Sequence, residues 1–214
     1  MRRPSIPWLL FLGLLGCQIV GCSAFKRFAY EGFSRDGWQQ PERVIRELAL
    51  EPGAQVADLG AGGGYFTFRL AEAVGPKGVV FAVDVDEDMT DYLQARADDE
   101  GLSNVTVILG RYEDPLLPDG QVDLLFTSNA YHHIENRRDY FRRLRSDLRT
   151  DGRVAILELN DSSWFPRTFG HYTDPDLIIE EMEEAGYELE RDLGFIDRQS
   201  FLIFRRLADE GSPG

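Results

Sequence analysis

Short apolar runs alternate with amphipathic stretches along most of this chain, from Gln40 onward. Five of the apolar runs have the length of strands; they are Gln55–Leu59, Val79–Val83, Val105–Leu109, Val122–Phe126 and Val154–Leu157. Around them, apolar residues recur at helical spacing and predict helices over Pro41–Leu48, Tyr65–Val74, Met89–Glu100, Arg137–Leu148 and Pro175–Ala185. Strands that alternate with helices in this way indicate a parallel sheet covered by helices on both faces.

Two further β-rich runs, Tyr187–Leu193 and Ser200–Phe204, follow each other with no helix between them. Strands joined without a crossover helix pair in the antiparallel sense, so we expect a hairpin at the edge of the sheet. The pattern therefore predicts an α/β fold with a doubly wound, mostly parallel, seven-stranded sheet and a C-terminal antiparallel hairpin. We place this domain at residues 41–207 and expect 208–214 to form a flexible tail.

Composition narrows the classes of partner. The chain has 214 residues, of which 43% are hydrophobic and 28% charged, a balance typical of a globular protein. Its net charge is −14, from 23 basic and 37 acidic residues, and residues 1–22 contain no acid. A domain that carries all of this negative charge should repel a phosphate backbone, so we expect no nucleic-acid partner.

The N-terminal 22 residues have the plan of a secretory signal: two arginines, a short apolar run and small residues. The run ends in two sequences that resemble the bacterial lipoprotein pattern, Leu14–Cys17 and Ile19–Cys22. Val20 suits the middle position of that pattern better than Leu15, which favours Cys22 over Cys17 as the lipidated residue. Because both cysteines precede the domain, the domain has no disulfide, thiolate metal ligand or cysteine nucleophile.

The N-terminal segment thus predicts a membrane-anchored protein of the bacterial cell envelope, with residues 23–40 as a short lead into the domain. An uncleaved anchor that leaves the domain on the cytoplasmic side is the alternative. The positive residues at the extreme N-terminus favour retention of that end inside the cell.

A glycine-rich turn follows the first predicted strand and precedes a helix, which is where a doubly wound sheet places its ligand. Its acid and glycines are spaced by two residues, at Asp58, Gly60, Gly62 and Gly64. A dinucleotide fingerprint that starts at Gly60 would need its third glycine at position 65, which is Tyr65. A carboxylate at the end of the strand also suits an ammonium group better than a pyrophosphate.

This spacing resembles motif I of class I S-adenosylmethionine (SAM) methyltransferases, in a group that includes exported and lipoprotein-like members. The resemblance extends from about Trp38 to Arg206 and includes Leu116–Asp123, Tyr131–Ile134 and Leu148–Arg153. It implies a Rossmann-like fold with SAM as the cofactor. The cofactor-binding residues that we then expect are Asp58, Gly60, Gly62, Gly64, Asp84, Glu113, Asp114 and Asn129.

These residues differ in the role expected of them. Asp84 ends the second strand, where a carboxylate accepts ribose hydroxyls in both SAM and NAD sites. The resemblance places Glu113 and Asp114 at the adenine amino group, although Arg111 departs from the aspartate that is commonest at its position. Asn129 follows the fourth strand and could contact the methionine part of SAM or the acceptor.

Two histidines are candidate catalytic residues, His132 after the fourth strand and His171 in the loop after the fifth. A base is needed only if the methyl acceptor must lose a proton. We expect His133 to be a packed residue, with its ring pointing away from that of His132. No cluster with the spacing of metal ligands is visible, so we predict no metal site.

The sequence leaves three functions open. The first is a SAM-dependent methyltransferase that acts on a small-molecule or lipid-associated acceptor and contacts the membrane through its N-terminal segment. The second is an NAD-dependent oxidoreductase, which Asp58 and Tyr65 disfavour. The third is a non-catalytic envelope lipoprotein that retains the fold, because SAM is made in the cytoplasm whereas a cleaved lipoprotein signal would place the domain outside.

Overall fold

Seven strands form a single sheet in the computed structural model, which describes residues 35–162 and 172–208. The strands are β1 (Gln55–Leu59), β2 (Val79–Asp84), β3 (Val105–Leu109), β4 (Val122–Ser128), β5 (Leu148–Leu159), β6 (Tyr187–Asp192) and β7 (Gln199–Arg206). The helices of the described residues are α1 (Arg35–Gln39), α2 (Pro41–Leu48), α3 (Thr67–Val74), α4 (Glu87–Asp99), α5 (Arg137–Leu144) and α6 (Pro175–Glu184). The strand order is β3-β2-β1-β4-β5-β7-β6, and the predicted α/β fold class is confirmed.

β1 is the point at which the chain changes the side of the sheet on which it adds parallel strands. Ala57 of β1 pairs with Phe81 of β2 on one side and with Leu125 of β4 on the other. The chain moves outward from β1 to β2 and β3, and then returns to add β4 on the opposite side. Ligands of open α/β sheets bind at the carboxyl ends of the strands at such a reversal. The turn after β1 therefore occupies the expected binding position.

The C-terminal strands form the predicted antiparallel hairpin. β7 pairs antiparallel with both β5 and β6, so that β6 lies at the edge and β7 lies inside the sheet. β5 begins at Leu148, six residues before the predicted start, because Leu148 already pairs with Val122 ahead of a register shift. For the same reason α5 ends at Leu144, before the predicted end of that helix.

The core lies on both faces of the sheet. Phe141 of α5 and Met182 of α6 are fully buried on one face. Val44 of α2 and Leu70 of α3 are fully buried on the other. Strand residues are buried on both sides because each face has its own layer of helices.

The predicted lead segment contributes to this fold. Residues 35–39 form α1, in which Trp38 packs against the apolar layer that contains α2 and α3. Gln39, the last residue of α1, has no exposed surface. The predicted signal, both cysteines, the lead before residue 35 and the tail after 208 lie outside the described residues. Over residues 35–162 and 172–208, the structure contains no helix long and apolar enough to cross a bilayer.

Candidate active site

The glycine loop after β1 is held against two neighbouring strands. The backbone N–H groups of Gly60 and Ala61 both donate to the carbonyl of Val83 at the end of β2, at 2.9 and 3.0 Å. Gly60 has a φ of +75°, and a Cβ at this position would lie 2.5 Å from the Cβ of Ala130. Only glycine fits this close approach. The loop consequently lies directly beside the segment that follows β4.

Asp84 is fixed by the backbone on both sides of its carboxylate. Its Oδ2 accepts a hydrogen bond from the N–H of Gly62 at 2.8 Å, and its Oδ1 accepts one from the N–H of Asp86 at 3.0 Å. Each carboxylate oxygen can accept a second hydrogen bond. Asp84 is thus oriented to receive two hydroxyl donors, as the ribose of a nucleoside would supply. Asp86 itself caps α4 by accepting from the N–H of Asp88.

Asp58 is a buried carboxylate with only part of its hydrogen-bonding capacity used. Its side chain is 3% exposed, and its Oδ2 accepts a hydrogen bond from the hydroxyl of Thr67 at 2.6 Å. Among the described residues, no group donates to its Oδ1. Burial raises the pKa of Asp58 to about 6, although the Thr67 hydrogen bond opposes this shift. A cationic ligand group at Oδ1 would stabilise the charged form, so the site fits an ammonium group.

The two acids after β3 are solvent-exposed. Asp114 Oδ1 accepts from the N–H of Leu116 at 2.8 Å, and the carbonyl of Glu113 accepts from Arg143 at 2.9 Å. Arg111 forms a backbone bridge with Asp114, which closes the turn. These bonds shape the loop at the expected adenine side of the site. The role of Glu113 and Asp114 at the adenine amino group stays a prediction.

Asn129 lies at the end of β4, next to the glycine loop. It adopts the left-handed backbone conformation, with a φ of +56°, which asparagine tolerates better than most residues. Its side-chain Oδ1 accepts a hydrogen bond from Gln199 Nε2 at 2.8 Å. The sequence did not point to Gln199, because its position near Asn129 depends on the insertion of β7 beside β5.

His132 forms a hydrogen-bonded pair with a buried acid. Its Nδ1 lies 2.9 Å from Oε1 of Glu158, which is near the end of β5 and has no exposed surface. The Glu158 carboxylate also accepts from the backbone N–H of Leu159, at 2.8 Å. Sequence reasoning missed Glu158. The available signal was a lone acid directly after the apolar run Val154–Leu157.

His133 does not have the packed environment that the sequence predicts. His133 is exposed rather than packed, and its ring lies 4.0 Å from the ring of His132, centre to centre. The two residues form a single 3₁₀ turn with Tyr131 rather than part of an α-helix, so their rings do not diverge as predicted. No group of three metal-ligating side chains occurs in the described ranges. His171 lies outside them.

A surface groove runs from His132 toward α5 and α6. Arg137 spans it with two hydrogen bonds to Glu181, at 2.7 and 3.0 Å, and Glu181 also accepts from the hydroxyl of Tyr131. Asn136 and Arg142 line the same groove. Residues of the glycine loop do not line it. His132 therefore borders a groove that Asp58, Asp84 and the glycine loop do not line.

Comparison with known proteins identifies the family. A family described as a methyltransferase domain matches residues 50–191, and the chain belongs to it. The structure is similar to a SAM-dependent methyltransferase from Aquifex aeolicus, with a TM-score of 0.78 and 25% sequence identity, over 85% of this chain and 97% of that one. The Rossmann-like methyltransferase fold is confirmed, and SAM is the cofactor that these matches support.

Relatives with known names are similar over part of their length. The nocamycin O-methyltransferase of Saccharothrix syringae is 35% identical over 114 residues, which are 53% of this chain and 41% of that protein. A ubiquinone/menaquinone biosynthesis C-methyltransferase of Ectopseudomonas mendocina is 28% identical over 121 residues, 56% of this chain and 47% of that protein. The chain thus spans about half the length of these relatives or less.

Proposed function

We propose that this protein is a SAM-dependent methyltransferase whose acceptor is a hydroxyl-bearing small molecule or lipid-associated compound. The observation that carries the proposal is the glycine loop at the sheet reversal, with Asp84 fixed beside it by the N–H of Gly62 at 2.8 Å. The family match over residues 50–191 supports the same reaction. The NAD-dependent alternative receives no support from these comparisons.

Different residues of the chain bind different parts of the cofactor. The glycine loop lets the backbone approach the ligand without a Cβ in the way. Asp84 accepts from the ribose hydroxyls, and Asp58 neutralises the ammonium group. When bound, SAM supplies a methyl group on a sulfonium, which is reactive toward a nucleophile aligned with the carbon–sulfur bond. Much of the rate of such a transfer comes from positioning.

We assign His132 as the base that takes a proton from the acceptor. Because a carboxylate only accepts, the His132 tautomer that bonds to Glu158 carries its hydrogen on Nδ1, and Nε2 is its basic nitrogen. A buried carboxylate in this position fixes the tautomer and the ring orientation, and it stabilises the imidazolium once formed. A base of this kind assists only an acceptor that must lose a proton, as a hydroxyl group does.

Two kinds of support bear on the acceptor class. The relatives are named for O-methylation of nocamycin and for C-methylation in quinone biosynthesis, so the family acts on more than one acceptor type. The predicted lipid anchor at Cys22 or Cys17 would hold the domain at a membrane, which favours a lipid-associated acceptor. Labelling with radioactive palmitate, with Cys17→Ala and Cys22→Ala compared, tests that anchor.

Binding of the cofactor is the first test of the function. The purified full chain should bind S-adenosylhomocysteine in calorimetry and be stabilised by it in a thermal melt, whereas NADH should have no effect. Asp84→Ala should weaken this binding, because the ribose hydroxyls lose their acceptor. Stabilisation by NADH in place of S-adenosylhomocysteine would contradict the proposal.

Turnover is the second test. The full chain is incubated with SAM labelled on the methyl group, together with small-molecule and lipid extracts separated into fractions. We expect label to enter at least one fraction. Acetylation of the hydroxyl groups in that fraction beforehand should prevent the labelling. Tight binding of SAM with no transfer to any fraction would instead indicate a non-catalytic protein.

A further inference from the structure

Four side chains form a hydrogen-bonded relay that begins in α1 and ends at the candidate site. Arg35 Nε donates to Gln39 Oε1 at 2.9 Å, and Gln39 Nε2 donates to Gln199 Oε1 at 3.0 Å. Gln199 Nε2 then donates to Asn129 Oδ1 at 2.8 Å. We call this series of four side chains the amide relay. It joins residues up to 160 positions apart in the sequence.

The amide relay has a fixed direction because its first member can only donate. An arginine guanidinium has no acceptor, so the oxygen of Gln39 must face Arg35 and its nitrogen must face Gln199. The oxygen of Gln199 must then face Gln39, which turns its nitrogen toward Asn129. Each amide is oriented by the one before it.

Burial makes this direction costly to reverse. Gln39 has no exposed surface and Gln199 is 1% exposed, so water cannot replace a mismatched partner. Two buried amide groups that faced each other nitrogen to nitrogen or oxygen to oxygen would lose a hydrogen bond and leave polar atoms unsatisfied. The same side chain of Gln39 also donates to Ser128 Oγ at 3.4 Å, which holds it in place.

The amide relay determines which group of Asn129 faces the site. Because its oxygen is occupied by Gln199, its NH2 group faces the other way, and among the described residues no partner accepts from it. Asn129 is followed by Ala130, which contacts Gly60 of the glycine loop. The relay thus presents a hydrogen-bond donor, and not an acceptor, beside the loop. A donor complements an anionic oxygen, whereas Asp58 and Asp84 supply the acceptors of the site.

We infer that the amide relay fixes Asn129 so that its NH2 group donates to the carboxylate of the cofactor's methionine moiety. This inference rests on the proposed function. Gln39 and Gln199 are positioning residues, since they act through Asn129 and do not meet the ligand.

The substitution Asn129→Asp tests the donor directly. Aspartate still accepts from Gln199 and tolerates the left-handed backbone, but its outward atom becomes a negatively charged oxygen. Calorimetry with the purified full chain compares S-adenosylhomocysteine with 5′-methylthioadenosine, which lacks the amino-acid moiety. We expect about tenfold or greater weakening for S-adenosylhomocysteine, because a hydrogen bond to a charged group is lost. Binding of methylthioadenosine should stay unchanged.

The substitution Gln199→Glu tests the relay at a distance from the ligand. Glutamate accepts from Gln39 but cannot donate, so Asn129 must turn its NH2 group inward and its oxygen toward the ligand. The same selective loss of S-adenosylhomocysteine binding is expected. Gln121→Glu is the matched control. It makes the same change at an exposed position just before β4, at the end of that strand away from Asn129. It should leave the affinity for both ligands unchanged.

The outcomes separate the two proposals. If the unmodified chain fails to bind S-adenosylhomocysteine, the proposed function is wrong. If it binds, but Asn129→Asp binds both ligands as tightly as the unmodified chain, only the relay is overturned. Equal weakening of both ligands in Asn129→Asp would also overturn it, because a general distortion does not single out the carboxylate. Asn129→Asp carries the test if Gln199→Glu does not fold.

Discussion

At the carboxyl ends of β1 and β2, backbone N–H groups hold Asp84, whereas at the ends of β4, β5 and β7 the polar side chains hold one another. In the first region, backbone N–H groups from the glycine loop and the start of α4 fix Asp84. In the second, side chains meet side chains from elements 26, 70 and 160 residues apart. We name the first region the β1–β2 half and the second the β4–β7 half.

This difference indicates which contacts related proteins can share and which contacts can differ between them. Backbone contacts persist under most substitutions, so the β1–β2 half can hold one cofactor across many sequences. Side-chain contacts such as His132–Glu158 and Gln199–Asn129 change with a single substitution. We expect the identity of the acceptor to depend on the His132–Glu158 pair, whereas Asn129 in the same half contacts the cofactor. Four experiments test this division, from the largest expected effect to the smallest.

Gly62→Arg should abolish cofactor binding. Gly62 is buried with a φ of +51°, and its N–H holds Asp84, so a long side chain here disrupts the β1–β2 half at its centre. Calorimetry with S-adenosylhomocysteine measures the loss. Gly194→Arg is the matched control, because a Cβ at Gly194 meets no atom within 4 Å. Retention of binding in Gly62→Arg would show that the loop does not hold the cofactor.

His132→Asn should reduce turnover by about 10²- to 10⁴-fold, the usual contribution of a general base, with cofactor affinity unchanged. Glu158→Gln should cause a smaller loss, because the ring keeps a hydrogen-bonding partner but loses the charge that stabilises the imidazolium. Initial rates with labelled SAM and the acceptor fraction measure both. An equal loss of S-adenosylhomocysteine affinity would show that His132 contacts the cofactor rather than the acceptor.

Cofactor affinity should fall as the pH drops below about 6, by up to about tenfold per pH unit, and should level off above pH 7. The reason is that the pKa of the buried Asp58 is raised to about 6, whereas an ammonium group favours its charged form. Asp84 and Arg35 act on the same carboxylate with opposite signs. Calorimetry from pH 5 to 8 tests this, and Asp58→Asn should remove the dependence. An unchanged slope in that variant would exclude Asp58 as its source.

Asp86→Ala should lower the free energy of unfolding by about 1 kcal/mol, the usual cost of losing an N-cap, and change cofactor affinity least of all. The Asp86 side chain caps α4 through the N–H of Asp88, at 3.0 Å, whereas its backbone N–H donates to Asp84. Urea denaturation measures the free energy of unfolding. Asp86→Asn should retain most of the stability that Asp86→Ala loses, because asparagine also caps helices. A loss of affinity as large as that of Asp84→Ala would place the Asp86 side chain in the site.

The two halves also differ in how far the sequence predicts them. Asp58, Gly62 and Asp84 could be named because their roles depend on a strand, a turn and a helix that follow one another along the chain. Gln39 and Gln199 could not, because their meeting requires β7 to insert beside β5 and α1 to lie next to the start of β7. Glu158 lay one residue beyond a predicted strand, and only the pairing of β4 with β5 brings it to His132.

The position of β7 has a consequence for how the chain reaches its folded state. β7 is the last strand in the sequence, yet it lies between β5 and β6 and carries the fully buried Phe201 and Phe204. During synthesis, β5 exposes an unpaired edge until residues 199–206 emerge from the ribosome. Sheets completed by distant segments close late. The nascent domain should therefore remain incompletely folded until residues 199–206 are available to pair with β5.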